Sequence, residues 1–383
     1  MANPNLSKNE SELFSMRILS RSFLGDNTYI TYPHTNAFMG NGKGLLYCRI
    51  DEGSVWLIHR NLETGKSEVV SEIGSLSGTG KLPYLDVAQR APRVATCFNN
   101  AIWIMDLENA CRWINIYQCP VEKGLDDLVS LSADGSKLVC MEHEGAQSRA
   151  FEIHLESGQI RKLFSMDWLA NHAHYSPHDE DWIAFSHEGA TESIPDRCWV
   201  WHAEFAPQGR AIFDQVSDEP GKLLCVGHER WGWHDISGYV VAYAVSPARK
   251  RGLYEIFADG RPARLLWEND VLWHCNMDPS GRFAVVDTTG PFQRTSLAEH
   301  VFREALDRHL QTDRERGWNT SEVVLIDLKT EEFIHVATVG RTRHPFHPHP
   351  AISPDRRWLI WNDDSKHSRG AWLAELDTGV SIG

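Results

Sequence analysis

The stretch Ala133-Asp134-Gly135-Ser136 has the composition of a tight turn, and the apolar run Lys137–Met141 follows it directly. A second apolar run, Ala150–His154, leads into another polar turn, Leu155-Glu156-Ser157-Gly158. Asp, Ser and Gly favour turns, and short apolar runs bounded by such residues are typical of β-strands. The stretch therefore predicts short antiparallel strands joined by turns.

This unit recurs along the chain. An earlier copy runs from Asn41-Gly42-Lys43-Gly44 through Leu45–Cys48 and Val55–His59 to Leu62-Glu63-Thr64-Gly65. Further copies begin near Asp179, Asp278 and Ser353, and weaker copies lie near Arg93 and Asp235. Seven copies in 383 residues are about 55 residues each, which is long enough for four strands and their loops. We predict an all-β fold, a seven-bladed β-propeller that forms one domain over residues 1–383.

Two segments depart from the unit. Apolar residues recur at helical spacing from Leu297 to Leu310, which predicts a short helical insertion in the sixth blade at about residues 296–316. We expect this insertion to be a solvent-facing decoration. A strand near Ser15–Leu19 is predicted to close the C-terminal blade.

Composition and charge exclude several classes of protein. The chain is 42% hydrophobic, which argues against disorder, and its apolar runs are too short to cross a bilayer. It carries 38 Lys and Arg against 52 Asp and Glu, a net charge of −14. Nucleic-acid binding relies on clustered basic residues, so neither a nucleic acid nor a membrane is an expected partner. The oligomeric state has no signature in the sequence.

The N-terminus and the cysteines predict a cytoplasmic protein. Residues 1–14 are polar and lack the apolar segment of a signal peptide. The eight cysteines form no C-x-x-C pair. Four of them, Cys48, Cys97, Cys140 and Cys225, lie in strand-like runs and are predicted to be small buried apolar residues.

The strongest chemical signal is His344-Pro-Phe-His347-Pro-His349-Pro350. His347 and His349 are two residues apart, so both imidazoles point the same way on an extended segment. The prolines exclude a central ladder strand and favour a rigid segment at the mouth of the central channel. Three imidazoles so close together predict a metal site, although this motif alone does not specify the metal.

Other histidine motifs lie next to predicted strands. They are His187-Glu188-Gly189, Arg197-Cys198-Trp199, His228-Glu229-Arg230-Trp231 with His234 after it, and Trp273-His274-Cys275. Each motif alone is weak, because a single histidine is more often a hydrogen-bonded core residue than a ligand. Their shared position beside strands that face the channel is what makes them candidates.

In their order along the chain, these motifs resemble those of the oligogalacturonate lyases, a family of seven-bladed propellers that degrade short pectin fragments. The resembling segments are His174-Tyr175-Ser176-Pro177, Phe185-Ser186-His187-Glu188-Gly189, Arg197-Cys198-Trp199, His228-Glu229-Arg230-Trp231, Trp273-His274-Cys275 and His347-Pro348-His349-Pro350. The resemblance implies a lyase that cleaves oligogalacturonides by β-elimination and leaves a 4,5-unsaturated uronate.

The resemblance also implies residue roles. The family holds manganese by three histidines and a glutamine, which correspond to His274, His347, His349 and His344. Histidine at position 344 departs from the family and makes the site softer, so Zn²⁺, Fe²⁺ and Ni²⁺ stand as alternatives to Mn²⁺.

Two catalytic residues can be assigned, together with two candidates for lining the substrate, of which His187 taken singly fits a hydrogen-bonded core residue better. His228 corresponds to the catalytic base, and Arg197 would bind a uronate carboxylate, whose α-proton is removed in the reaction. His174 and His187 are candidates for residues that line the substrate.

Three alternative functions differ in what they require of the sequence. A lyase for another uronate on the same metal frame stays open. A non-catalytic propeller that binds a protein or peptide would show repeated Trp-Asp dipeptides, of which the chain has only scattered traces such as Asp181-Trp182 in reverse order. A propeller attached to a hydrolase domain is disfavoured, because the units fill the chain and no G-x-S-x-G motif occurs.

Overall fold

The computed structural model describes residues 16–76, 82–109, 111–216, 221–248, 250–290, 292, 320–340, 344–365 and 368–378. Within these ranges the chain is all-β, with seven four-stranded antiparallel sheets arranged as the blades of a propeller. The one helical element in these ranges is a 3-10 turn, Thr191–Ser193. The helical insertion predicted at 296–316 lies outside the described residues. In the described ranges, no helix has the length and apolar character needed to span a bilayer.

The strands follow one another blade by blade. Blade 1 contains β2 (Thr28–Tyr29), β3 (Gly44–Asp51), β4 (Ser54–Asn61) and β5 (Ser67–Ser75); blade 2 contains β6 (Leu85–Val87), β7 (Arg93–Phe98), β8 (Ala101–Asp106) and β9 (Ile114–Gln118). Blade 3 contains β10 (Gly124–Leu131), β11 (Lys137–Glu144), β12 (Gln147–His154) and β13 (Ile160–Met166); blade 4 contains β14 (Ala170–Tyr175), β15 (Ile183–His187), β16 (Cys198–His202) and β17 (Ala206–Ala211). Blade 5 contains β18 (Val226–Trp231), β19 (Ser237–Ala242), β20 (Gly252–Phe257) and β21 (Arg264–Glu268); blade 6 contains β22 (Leu272–Met277), β23 (Phe283–Thr288), β24 (Thr320–Asp327) and β25 (Glu332–Gly340). Blade 7 combines β26 (Ala351–Ile352), β27 (Trp358–Asp363) and β28 (Gly370–Asp377) with β1 (Arg17–Asp26).

The turns of the repeat lie where the sequence predicted them. In blade 3, the Asp134 side chain accepts the backbone N–H of Ser136 at 2.9 Å. Gly135 and Gly158 both adopt φ of 69°, a left-handed conformation that glycine adopts without steric penalty. Between these turns, β11 and β12 pair without interruption from Lys137 to Glu144.

The ring is closed by the N-terminal strand. β1 pairs antiparallel with β28, so the seventh blade is built from both ends of the chain. The prediction of a closing strand near Ser15–Leu19 is confirmed in position, and the strand extends further, to Asp26.

Apolar residues fill the spaces between neighbouring blades. One such cluster packs Phe283 and Val285 of blade 6 against Leu359 and Trp361 of blade 7. The four cysteines predicted to be buried are buried, whereas Cys111 is exposed. Hydrophobic burial between blades is therefore the main force that holds the ring together.

The innermost strands of four consecutive blades are interrupted at the same place. In each of these strands the register with the second strand shifts at a β-bulge. The bulges lie between Leu125 and Val129 in blade 3, Asn171 and His174 in blade 4, Gly227 and Arg230 in blade 5, and Leu272 and Cys275 in blade 6. At such bulges extra residues leave the ladder and their side chains are redirected. The residues released here include Asp126, His172, His228 and His274.

Replacing Trp361 by alanine should lower the free energy of unfolding by about 3–5 kcal/mol, because it leaves a cavity between blades 6 and 7. Trp361 is 1% exposed. Denaturant unfolding of the variant measures the change. Val121→Ala is the matched control: Val121 is 98% exposed, so its loss should change stability by less than about 0.5 kcal/mol. Equal effects of the two substitutions would contradict this packing.

Candidate functional site

Residues from five blades or their loops line one cavity of about 310 Å³. They are Tyr32, Leu82, Tyr84, Asp126, Asp127, Leu128, Asn171, His172 and His344. Because blades 1, 2, 3, 4 and 7 meet only at the axis of the ring, this cavity lies over the centre of the propeller. Its wall is polar and aromatic, which suits a polar ligand with flat faces.

Three of the four predicted metal ligands converge. His274 leaves blade 6 at the bulge of β22, and His347 and His349 lie just before β26. One ligand atom of each of these three side chains lies within 4.8 Å of the other two. The fourth predicted ligand, His344, is not part of this group of three. Its ring centroid lies 4.0 Å from that of His347 and 5.3 Å from that of His349.

His349 has the properties expected of a metal ligand. Both ring nitrogens of His349 are buried and have no hydrogen-bond partner among the described residues. Burial, reinforced by His274, holds the pKa of His349 well below its ordinary value, so the ring is neutral and can bind a cation. This donor set fits a divalent transition metal.

Asp287 orients His274. It stands opposite the bulge, and its carboxylate oxygens lie 2.7 and 2.9 Å from His274 Nδ1. It also accepts the His274 backbone N–H at 2.7 Å. With Nδ1 engaged, a metal bound by His274 must use Nε2. A carboxylate behind a ligating histidine fixes the tautomer and raises the basicity of the ligand.

His228 lies beside this group as a neutral imidazole. Its Nδ1 lies 2.9 Å from the Trp273 carbonyl oxygen and 2.8 Å from the Tyr243 hydroxyl. A carbonyl only accepts, so Nδ1 carries the proton and Nε2 carries the lone pair. Burial, with His274 next, holds the pKa of His228 well below its ordinary value. Its ring centroid lies 4.0 Å from that of His274.

Arg197 is buried among carboxylates. Its terminal nitrogens donate to the two oxygens of Glu188 at 3.2 and 2.6 Å, and its Nε lies 3.6 Å from Glu229 Oε2. Burial disfavours the charge of Arg197, but Glu229 and Glu188 outweigh it and raise the pKa of the guanidinium. The fork predicted to bind a substrate carboxylate thus faces Glu188 in this structure.

The two histidines predicted to line the substrate lie apart from the larger cavity. His174 Nδ1 lies 2.7 Å from the His172 carbonyl oxygen, and its ring lines a separate cavity of about 30 Å³, room for little more than a water molecule. His187 pairs with Asp196 at 2.8 Å and packs on Trp168, with ring centroids 4.0 Å apart. Contact of either histidine with substrate stays a prediction.

A second group of possible ligands was not predicted. His34, His172 and Glu229 also bring one ligand atom each within 4.8 Å of one another. Tyr32 lies between the two groups, with ring centroids 5.2 Å from His34 and 4.9 Å from His349. Of the three residues, Glu229 alone lies in a motif that the sequence singled out, His228-Glu229-Arg230-Trp231.

Arg230 fixes the loop that carries Tyr32 and His34. Its Nη1 donates to the carbonyls of Pro33 and Thr35, the latter at 2.9 Å. Burial lowers the pKa of Arg230 to about 10, so its guanidinium is still charged at neutral pH. Blade 5 thereby holds a loop of blade 1 across the ring.

Comparison with known proteins adds structural relatives and no sequence match. No family model matches the sequence, and no curated protein does. An oligogalacturonate lyase solved in complex with manganese is 17% identical and covers 95% of this chain and 98% of its own, with a TM-score of 0.72. An oligogalacturonate lyase from Vibrio parahaemolyticus is 16% identical, with 94% and 98% covered and a TM-score of 0.70. The WD40 repeats of RRP9 are 8% identical, with 94% and 97% covered and a TM-score of 0.54. At these identities the likeness establishes the propeller fold.

Replacing Asp287 by asparagine should lower affinity for a divalent metal about 10- to 100-fold, because the amide cannot fix the His274 tautomer as a carboxylate does. Metal titration of the chelator-treated variant measures the loss. Asp327→Asn is the matched control, since Asp327 is a buried carboxylate of the same blade that pairs with Arg282 at 2.5 Å. It should lower stability and leave metal affinity unchanged. Unaltered affinity in Asp287→Asn would remove His274 from the metal centre.

Proposed function

We propose that this protein is a metal-dependent lyase that cleaves short oligogalacturonides by β-elimination and leaves a 4,5-unsaturated uronate. One observation carries the proposal: a neutral histidine, His228, with its Nδ1 engaged by the Trp273 carbonyl, adjoins three converging imidazoles. A base beside a cation site is what proton removal next to a carboxylate needs. The likeness to oligogalacturonate lyases over nearly the whole chain supports it.

His274, His347 and His349 would hold the metal, with His344 as a fourth ligand. A bound divalent cation supplies positive charge that stabilises the negative charge developing on the uronate carboxylate. Manganese is proposed first, because one structural relative was solved in complex with it. Zinc, iron and nickel are the alternatives that imidazole ligands favour.

His228 would remove the proton from C5 through Nε2. The Trp273 carbonyl receives its Nδ1–H, so the positive charge formed when Nε2 is protonated is stabilised at once. The backbone of His228 has φ of 54°, a left-handed conformation that aims the side chain out of the strand.

Arg197 would bind the carboxylate of a uronate residue. To use its Nη1 and Nη2 fork in this way, the substrate must take the place of Glu188. Such an exchange keeps the buried guanidinium paired with a carboxylate. Tyr32 and Tyr84 on the cavity wall offer flat faces for sugar rings.

The assay that tests this proposal follows the ultraviolet absorbance of the unsaturated product with di- and trigalacturonate and with oligomers of other uronates. Galacturonides should react, and His228→Ala should lower kcat by about 10²–10⁴-fold without loss of metal. His228→Asn is a second variant, because asparagine tolerates left-handed φ and preserves the bulge. His178→Ala, a histidine of the turn after β14, is the control with full activity expected. Loss of metal in both His228 variants would make His228 a ligand; inactivity on every uronate would refute the lyase.

Replacing His344 by glutamine should shift metal preference toward manganese and away from zinc and nickel, because an amide oxygen is a harder donor than an imidazole. Activity with manganese should survive. His347→Ala is the matched comparison and should lose metal and activity together. Metal content after chelation and reloading, followed by turnover with each metal, measures both. If His344→Gln changes neither preference nor affinity, the centre consists of His274, His347 and His349.

A further inference from the structure

We propose a second site for a divalent transition metal, formed by His34, His172 and Glu229 on the other side of Tyr32. One ligand atom from each of these residues lies within 4.8 Å of the other two. The site shares no residue with the group of His274, His347 and His349. The proposal does not depend on the lyase activity.

The donor atoms are spaced as ligands of one small cation. His34 Nε2 lies 3.5 Å from Glu229 Oε1, and His172 Nδ1 lies 3.9 Å from the same oxygen. Atoms bound tetrahedrally at about 2.0–2.1 Å from zinc lie about 3.4 Å apart. Both separations are too long for a hydrogen bond, and a shift of a few tenths of an ångström gives ligand spacing.

His34 has no other role in the described contacts. It is 5% exposed, and neither ring nitrogen has a hydrogen-bond partner among the described residues. A buried imidazole left in this state costs free energy, which a bound cation would remove. Its ring stacks on Tyr32, with centroids 5.2 Å apart and an interplanar angle of 8°, so it is held in place.

Three separate elements of the fold bring the ligands together. His34 lies on the loop held by Arg230, whose guanidinium donates to the flanking carbonyls. His172 sits at the bulge of β14 with φ of 62°, and its backbone N–H donates to Asp126 at 2.5 Å. Glu229 follows His228 in the bulge of β18. Rigid supports of this kind are what a metal centre needs.

Carboxylates outnumber guanidinium groups beside the proposed site. The carboxylates of Glu188 and Glu229 share the one guanidinium of Arg197, which faces Glu229 through Oε2. The other oxygen of Glu229, Oε1, faces the imidazoles of His34 and His172. A cation bound there would place positive charge next to a buried carboxylate oxygen.

The ligand types indicate which metals fit. Two imidazoles and one carboxylate match zinc and cobalt better than calcium or magnesium, which prefer oxygen ligands. The Ser186 hydroxyl contacts Glu229 and lies 3.2 Å from His172 Nδ1. It is a further oxygen at the edge of the site.

Counting bound metal tests the proposal. Chelator-treated full-length protein is reloaded with Zn²⁺, freed of excess metal by gel filtration and analysed by atomic emission. Wild type should bind about two equivalents, and the double variant His347→Ala/His349→Ala about one. Adding His34→Ala to the double variant should leave none. His335→Ala, at an exposed histidine of β25, is the control that should keep two.

A second ligand variant and a folding test distinguish loss of the site from loss of the fold. His172→Gln removes a ligand independently of His34→Ala, and circular dichroism with thermal melting verifies that each variant is folded. Loss of one equivalent in both folded variants supports the site. One equivalent in wild type that His34→Ala does not reduce would overturn it. Failure of the lyase assay has no bearing on this count.

Discussion

Antiparallel pairing breaks at one position in the inner strands of blades 3 to 6, and the candidate site depends on that break. In a regular strand, successive side chains point to opposite faces of the blade, into the packing between blades. At each bulge two or three residues oppose one on the neighbouring strand, and the extra residues turn toward the axis. Asp126, His172, His228 and His274 all owe their position to this device.

The bulge in blade 6 also brings a carboxylate to the histidine that it exposes. The single residue opposite it is Asp287, so the same irregularity that releases His274 places a carboxylate behind its Nδ1. The corresponding positions in blades 4 and 5 are Phe185 and Val240, which are apolar. The same bulge therefore recurs in several blades, but the one residue opposite it decides whether the exposed histidine gains a carboxylate partner.

Charge balance unites the two groups at the axis. In the group of His274, His347 and His349, ligand atoms of three imidazoles converge, and burial keeps His349 neutral, so the group can accept a cation. Around Arg197, two carboxylates, Glu188 and Glu229, share one guanidinium. In the proposed function, the charge of a bound metal would attract the anionic sugar.

The fold was predictable from the sequence because its signals are local. Turns such as Asp134-Gly135 and Leu155–Gly158 have counterparts in other blades, and their conformations are set by neighbouring residues. The site was predictable only in part. The close spacing of His347 and His349 in the sequence indicates a metal site. Asp287, by contrast, is 13 residues from His274, and the two side chains meet only because of the bulge. His34, His172 and Glu229 come from three blades, and no linear pattern joins them.

The proposed reaction rests on the position of His228 relative to a bound metal. A crystal of the manganese-loaded protein with trigalacturonate, measured at the manganese absorption edge, would locate both. We expect an anomalous peak among His274, His347 and His349, with C5 of a uronate within hydrogen-bond reach of His228 Nε2. A metal bound elsewhere, or a uronate whose C5 lies far from His228, would contradict it.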